Sequence, residues 1–217
     1  LAWVAAFDIK KDHLTVHHGA SVETRDSFFV EGSWNGNFDA GEFHLAEVFW
    51  GSGAVVENET VTFVSSMATT DYLYHNLEEG QLTVTNSLPL ILAFIDDALK
   101  PWPAYYEKNY HSIMNGIKEY DNEIATENGR IYRTIYKNIE VTGGKIKFVE
   151  KPKSPPFPDF TAYKNHLSDS IQGFIKNAKD PGRRLPMKIL STQSRGYDST
   201  AINAMAAKFG IDCAFTC

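Results

Sequence analysis

The stretch Met187-Lys-Ile-Leu-Ser-Thr-Gln-Ser194-Arg195-Gly196-Tyr197-Asp198-Ser199-Thr200, followed by Ala-Ile-Asn-Ala-Met-Ala-Ala-Lys-Phe-Gly210, organises the reading of this chain. Met187, Ile189 and Leu190 predict a short buried strand, and Ile202, Met205, Ala206 and Phe209 recur at helical spacing before a Gly suited to end the helix. A polar turn therefore joins a strand to a helix. Such a turn brings unpaired backbone N–H groups, the positive end of the helix dipole and the hydroxyls of Ser194, Ser199 and Thr200 to one place, which predicts an anion, and a phosphate in particular, as the ligand.

The order Ser-x-Gly-x-Asp-Ser at 194–199 resembles the pyrophosphate-binding loop (PP-loop) of the ATP pyrophosphatase superfamily, usually Ser-Gly-Gly-x-Asp-Ser, and the flanking residues resemble its asparagine synthetase branch. The resemblance implies a loop that holds the pyrophosphate part of ATP while a carboxylate attacks the α-phosphate to give an acyl-adenylate. It implies Ser194, Arg195, Gly196, Asp198, Ser199 and Thr200 as the ATP-binding residues, and Asp198 as the Mg²⁺ ligand. Arg195 departs from the pattern, standing where the family has its first Gly. A side chain there either obstructs close approach of the backbone to phosphate or adds a guanidinium to the phosphate cradle. Without the resemblance, the same letters describe an ordinary strand-turn-helix rich in small polar residues.

Composition bounds the rest. The 217 residues, 43% hydrophobic and 13% aromatic, suffice for one good core and part of a second. A net charge of -6 with no run of Lys and Arg argues against a nucleic-acid partner. The longest apolar stretch, Leu88 to Ile95, is too short to span a bilayer, and the first residues lack the basic flank and cleavage site of a secretory signal. These features predict a soluble, cytoplasmic protein without a membrane partner. The only cysteines, Cys213 and Cys217, are four apart and read as strand residues rather than a disulfide framework or a metal pair.

The first part of the chain reads as β structure. Ala2 to Ile9 and His13 to His18 form a predicted hairpin around Lys10-Lys11-Asp12, and Ser27 to Val30 is a further short strand before the Asn35-Gly36 turn. His13, His17 and His18 do not predict a metal site, because neighbours on a strand point to opposite faces. Asn58-Glu-Thr60 matches a glycosylation acceptor but is read as a turn. Phe49–Val56, Thr60–Ser65 and Gln81–Asn86 read as strands of an antiparallel sheet, and Ser87 as the N-cap of a helix over Leu88 to Leu99.

Thr62 to Ala93, with Asp71-Tyr-Leu-Tyr74 and Asn86-Ser87-Leu-Pro-Leu-Ile-Leu-Ala93, resembles the second half of a class II glutamine amidotransferase domain. In that family an N-terminal Cys is the nucleophile and its own amine the base. Residue 1 is Leu, and the Arg-Gly-Pro-Asp and Asn-Gly-Glu-x-Tyr-Asn segments that hold glutamine are missing. The expectation is an amidotransferase-like domain without glutaminase activity, a feature it shares with the β-lactam synthetases.

Trp102 to Ile117 predicts a helix ending at Gly116, with Tyr105, Tyr106, Tyr110 and Ile113 on its core face. Arg130–Tyr136, Ile139–Val141 and Lys145–Val149 are further strands. Four prolines in Glu150–Asp159 mark a linker, and Phe160, Tyr163, Leu167, Ile171, Phe174, Ile175 and Ala178 keep a helical stripe after it with Asp159 as N-cap. The expected organisation is an amidotransferase-like α+β domain of antiparallel sheets over 1–150, a Pro-rich linker over 151–159, and the start of an α/β PP-loop ATP pyrophosphatase domain over 160–217. Ile211 to Cys217 reads as the next parallel strand, and a parallel sheet needs both faces covered, so the chain is expected to be the N-terminal part of a longer protein.

Two functions follow. The first is an ATP- and Mg²⁺-dependent, amide-forming ligase that adenylates a small-molecule carboxylate, in which no side chain acts as a covalent nucleophile. The second is a non-catalytic scaffold or dimerisation module derived from the same family, with Arg195 marking an inactive loop. An uncovered sheet edge also predicts self-association, as a homodimer.

Overall fold

The computed structural model describes residues 1–101 and 106–216. The fold is mixed α+β, and its sheets are mostly antiparallel. Fourteen strands and four α-helices are described, numbered here in chain order as β1 (Trp3–Asp8), β2 (His13–His18), β3 (Glu23–Thr24), β4 (Phe28–Trp34), β5 (Phe49–Glu57), β6 (Thr60–Val64), β7 (Leu73–Glu78), β8 (Gln81–Thr85), α1 (Leu88–Phe94), α2 (Tyr106–His111), β9 (Glu123–Ala125), β10 (Arg130–Thr134), β11 (Lys137–Thr142), β12 (Lys145–Glu150), α3 (Phe160–Ala178), β13 (Leu190–Gln193), α4 (Tyr197–Ala206) and β14 (Cys213–Thr216). The chain divides into two compact units, one of Leu1–Glu31 with Gly51–Lys151, the other of Gly32–Trp50 with Pro152–Cys217. The division falls within β4 and β5.

The first unit is built on two six-stranded sheets, ordered β2-β1-β8-β7-β10-β9 and β12-β11-β6-β5-β4-β3. Trp3, Ala5 and Phe7 of β1 alternate with residues on the opposite face of the sheet and meet Leu82 and Val84 of β8, Phe63 of β6 and Ile139 of β11 in one buried cluster. Trp3 stands edge-on to Phe29 at 4.9 Å between ring centroids and stacks on Phe63 at 6.4 Å. The core is therefore a sheet-on-sheet interior filled by alternate residues of both sheets. A second cluster joins Leu88 and Ile91 of α1 to Tyr74, Ile124 and Ile131 on the other face of the first sheet.

Gly53 shows why β4 and β5 can lie so close. A Cβ at residue 53 would come within 2.2 Å of the Phe29 carbonyl oxygen, so only glycine fits there. On the helical side, the buried Arg133 guanidinium donates to Asp121 O at 3.0 Å, to Asn109 O and to Ser112 Oγ, and lies 5.0 Å from the Tyr72 ring centre. It thereby ties α2 and the turn after it to β10.

Several elements differ from the expectation. The helix after Ser87 ends at Phe94 rather than Leu99, because Ile95 leaves helical geometry and Asp96 turns to a φ of +53°. The predicted 102–117 helix is described from residue 106, as α2 followed by a 3₁₀ turn over Ser112–Asn115 that stops at Gly116 with φ +106°. Its Tyr105 lies outside the described residues. β7, β9 and the short β3 were not anticipated as strands.

In the second unit, α3 runs over Phe160–Ala178, and the Asp159 carboxylate caps it by accepting from Ala162 N at 2.8 Å. Trp34, Phe38, Phe43 and Phe49 form an aromatic nest at 5.1 to 6.4 Å between centroids. Asn177, buried near the end of α3, holds this segment. Its Nδ2 donates to Gly36 O at 2.9 Å, and its Oδ1 accepts from Ser33 Oγ at 2.9 Å and from the Arg183 guanidinium at 2.5 Å. A Cβ on Gly173 would meet Asn35 O at 2.8 Å, so the glycine lets the 35–37 turn approach the helix.

Candidate functional site

The candidate anion loop lies between β13 and α4. β13 pairs in parallel with β14, from Leu190 opposite Cys213 to Gln193 opposite Thr216. The strand sits three residues later than the apolar letters predict, and it is not buried: Leu190 is 62% exposed and β14 is exposed throughout. What fixes it is polar. Asp212 accepts from Ile189 N at 2.7 Å and from Lys179 Nζ at 2.9 Å, and Lys179 Nζ also donates to Gly210 O at 2.7 Å. The Ile189 N–H, and then Lys179, hold the Asp212 carboxyl below the usual carboxylate range. Cys213 is an exposed free thiol on β14, and Cys217 lies outside the described residues.

The structure brings Ser194, Gly196, Ser199 and Thr200 together. Ser194 Oγ and Ser199 Oγ are 2.9 Å apart, and Ser194 Oγ accepts from Gly196 N at 3.1 Å. The Ser199 and Thr200 hydroxyls turn back to Gly196 O at 3.2 and 3.1 Å. Gly196 is the N-cap of α4 in an extended conformation, and no side chain caps the helix. The first-turn N–H groups thus keep their donor capacity at the positive end of a ten-residue helix.

Arg195 is exposed and lies outside the left-handed backbone region, so the loop takes this path without a glycine at that position. Asp198, the second residue of α4, is also exposed. A carboxylate and a phosphate at one helix terminus repel each other, and a divalent cation between them removes the conflict. Among the described residues no three His, Cys, Asp or Glu side chains gather for a metal. Asp198 would thus be the one carboxylate on a Mg²⁺ otherwise held by phosphate oxygens and water, a donor set this hard, strongly hydrated ion accepts.

Two residues of this arrangement were not singled out from the sequence. Gln193 Nε2 donates to Ser194 O at 2.9 Å and to Thr200 Oγ1 at 2.8 Å, and its Oε1 accepts from Asn203 Nδ2 at 2.7 Å. Asn203 also receives the Ser191 hydroxyl and donates to Thr192 O at 3.2 Å. These amides fasten the strand end to the helix start. The available signal was spacing: Asn203 falls three and four residues after Thr200 and Ser199, on the same helical face.

Among the perturbed ionisable groups of the first unit, Tyr72, Tyr74 and Tyr120, each raised by burial, gather around the structural Arg133, while His75, Lys151 and Glu31 each have their own separate partners. Burial lowers His75 to about 4, with its Nε2 beside Thr134 Oγ1 at 3.1 Å, and lowers Lys151 to about 8, its Nζ donating to Asn138 Oδ1 at 3.1 Å. Burial raises Glu31, against hydrogen bonds from Ser52 Oγ at 2.7 Å and Asn86 Nδ2 at 3.3 Å. His13, His17 and His18 lie along β2. No helix of the described residues is long and apolar enough to cross a membrane. No protein-family model matches the chain, and no curated protein matches it either.

Proposed function

We propose that this chain carries the ATP-binding loop of an asparagine synthetase-like, amide-forming ligase, which adenylates a small-molecule carboxylate with release of pyrophosphate. The observation that carries the reading is the uncapped start of α4. There the Ser-x-Gly-x-Asp-Ser order coincides with a strand-turn-helix in which two serine hydroxyls, Thr200 and free N–H groups meet at a helix dipole. Ser194, Gly196, Ser199 and Thr200 cradle the phosphates, Arg195 adds positive charge from the rim, and Asp198 holds Mg²⁺. When bound there, the metal would supply charge neutralisation for the phosphates. The chain's own contribution is orientation, since Gln193 and Asn203 keep the loop in one shape before ligand arrives.

In the same reading, residues 1–150 form an amidotransferase-like domain without glutaminase activity, residues 160–217 begin a domain of the ATP pyrophosphatase class, and the protein works in the cytoplasm, as a homodimer. Calorimetric titration with ATP and Mg²⁺ tests the proposal. Saturable, Mg²⁺-dependent binding that falls at least about tenfold on Asp198→Ala is expected. A folded protein that does not bind ATP would leave the family scaffold, without chemistry, as the better account.

A further inference from the structure

Beside the 35–37 turn the second unit contains a solvent-open groove of about 710 Å³, within the range of about 300–1,000 Å³ typical of small-molecule sites. Its lining includes Asn35, Asn37, Gln172, Lys176, Asp180 and Phe209. The wall is held in place rather than left to fluctuate: Gly173 admits the turn against α3, and Asn177 pins Gly36 O at 2.9 Å.

The lining has unspent hydrogen-bonding capacity of both kinds. The side-chain oxygens of Asn35 and Asn37 accept backbone N–H groups at 3.4 and 2.8 Å, which leaves their NH₂ groups as donors. Gln172 and Lys176 make no side-chain hydrogen bond among the described residues, and Asp180 engages one carboxylate oxygen, accepting from Gly182 N at 2.8 Å. Lys176 and Asp180 lie four apart at the end of α3 yet form no ion pair with each other. The groove's third charged residue, Lys179, is already paired with Asp212 at 2.9 Å, and the opposite charges of Lys176 and Asp180 then balance, so the groove selects neither a cation nor an anion. It selects a neutral molecule that donates and accepts at several points. The Phe209 ring, with Lys208 Nζ 4.7 Å from its centre, also lines the groove and offers an apolar surface for a C–H face.

We propose that this groove is a saccharide-binding site, taking a neutral mono- or disaccharide whose hydroxyls pair with Gln172, Lys176, Asp180 and the two asparagine amides while its C–H face rests on Phe209. The proposal is independent of the reading of the anion loop. A hydrogen bond from Lys176 or Asp180 to a sugar hydroxyl is charge-assisted, so losing one weakens binding at least about tenfold, whereas losing a neutral amide partner weakens it about two- to tenfold.

The test is saturation-transfer NMR on the intact chain with glucose, galactose, mannose, N-acetylglucosamine and their common disaccharides, followed by titration of any that bind. At least one sugar should bind saturably. Gln172→Ala should weaken it by about two- to tenfold and Lys176→Ala by about tenfold or more, both at exposed positions, and Asp198→Ala should leave it unchanged. Absence of binding by every sugar to folded protein overturns the proposal, as does binding that is indifferent to both groove variants. Displacement of the sugar by acetate or phosphate at equal concentration would show a charge-selective site and overturn it as well. Because Asp198 serves the loop and Gln172 the groove, the two variants report separately on the two sites.

Discussion

At Arg195 the departure from a glycine-rich loop becomes a physical question about one side chain. The backbone there is ordinary, so glycine is not needed for the path, and the guanidinium makes no contact among the described residues that would keep it from a ligand. On the proposed function it joins the phosphate cradle, and Arg195→Ala should weaken Mg²⁺-ATP binding by about five- to tenfold, measured by calorimetry. Arg195→Gly should behave like the alanine variant rather than better than the natural protein. His75 carries a different prediction, about acid. Burial between Tyr132, stacked at 5.6 Å, and Phe148 at 5.5 Å holds it neutral, at about 4 against an ordinary 6.5. The folded value lies below the unfolded one, so as pH falls from 6.5 toward 4 the unfolded chain takes up the proton first and stability declines. The loss should reach about 2 kcal/mol by about pH 5, and urea unfolding at that pH and at neutrality should show it in the natural protein and a flatter dependence in His75→Gln.

Among the elements, α3 was the most legible in the sequence. A run of prolines, an Asp and then a helical apolar stripe predict Phe160 to Ala178, and the helix has those bounds. Its cap can be tested alone: Asp159→Ala should cost about 1 kcal/mol in denaturant unfolding, and Asp159→Ser much less. β7 was illegible for a reason that can be stated. Leu73 faces the inter-sheet core while Tyr74 packs in the α1 cluster, so successive residues are both buried and the alternation that marks a half-exposed strand is missing. β13 misled in the opposite way. Its apolar letters lie at 187–190, but pairing with β14 selects 190–193, where Ser191 and Gln193 serve the start of α4. The hydroxyl cluster of the candidate site was readable from residue type and spacing, whereas the amide network beneath it depends on which strand residues face the helix. In the first unit, Gly53→Ala should destabilise by about 3 kcal/mol or more or prevent folding, since its methyl would enter the Phe29 carbonyl; thermal unfolding of the purified variant measures this.

For the whole molecule, two kinds of construction occur in one chain. The first unit buries aromatic and β-branched residues between antiparallel sheets, so burial is the main support of its form. The second gathers Trp34, Phe38 and Phe43, from early in the sequence, into the same compact unit as α3, a grouping set by packing and by Asn177 rather than by any boundary signal in composition. Its parallel pair and α4 are held instead by polar bonds among Lys179, Asp212, Gln193 and Asn203. That difference suits a ligand site, where groups must be placed and still be reachable. The central claim is that the start of α4 binds the phosphates of ATP with a metal at Asp198. The most direct test is calorimetry with Mg²⁺-ATP on the natural protein and on Asp198→Ala, with circular dichroism to establish that both are folded. The account predicts saturable binding that requires Mg²⁺ and is reduced at least about tenfold by the substitution. Equal binding by both proteins, or none by a folded natural protein, would contradict it.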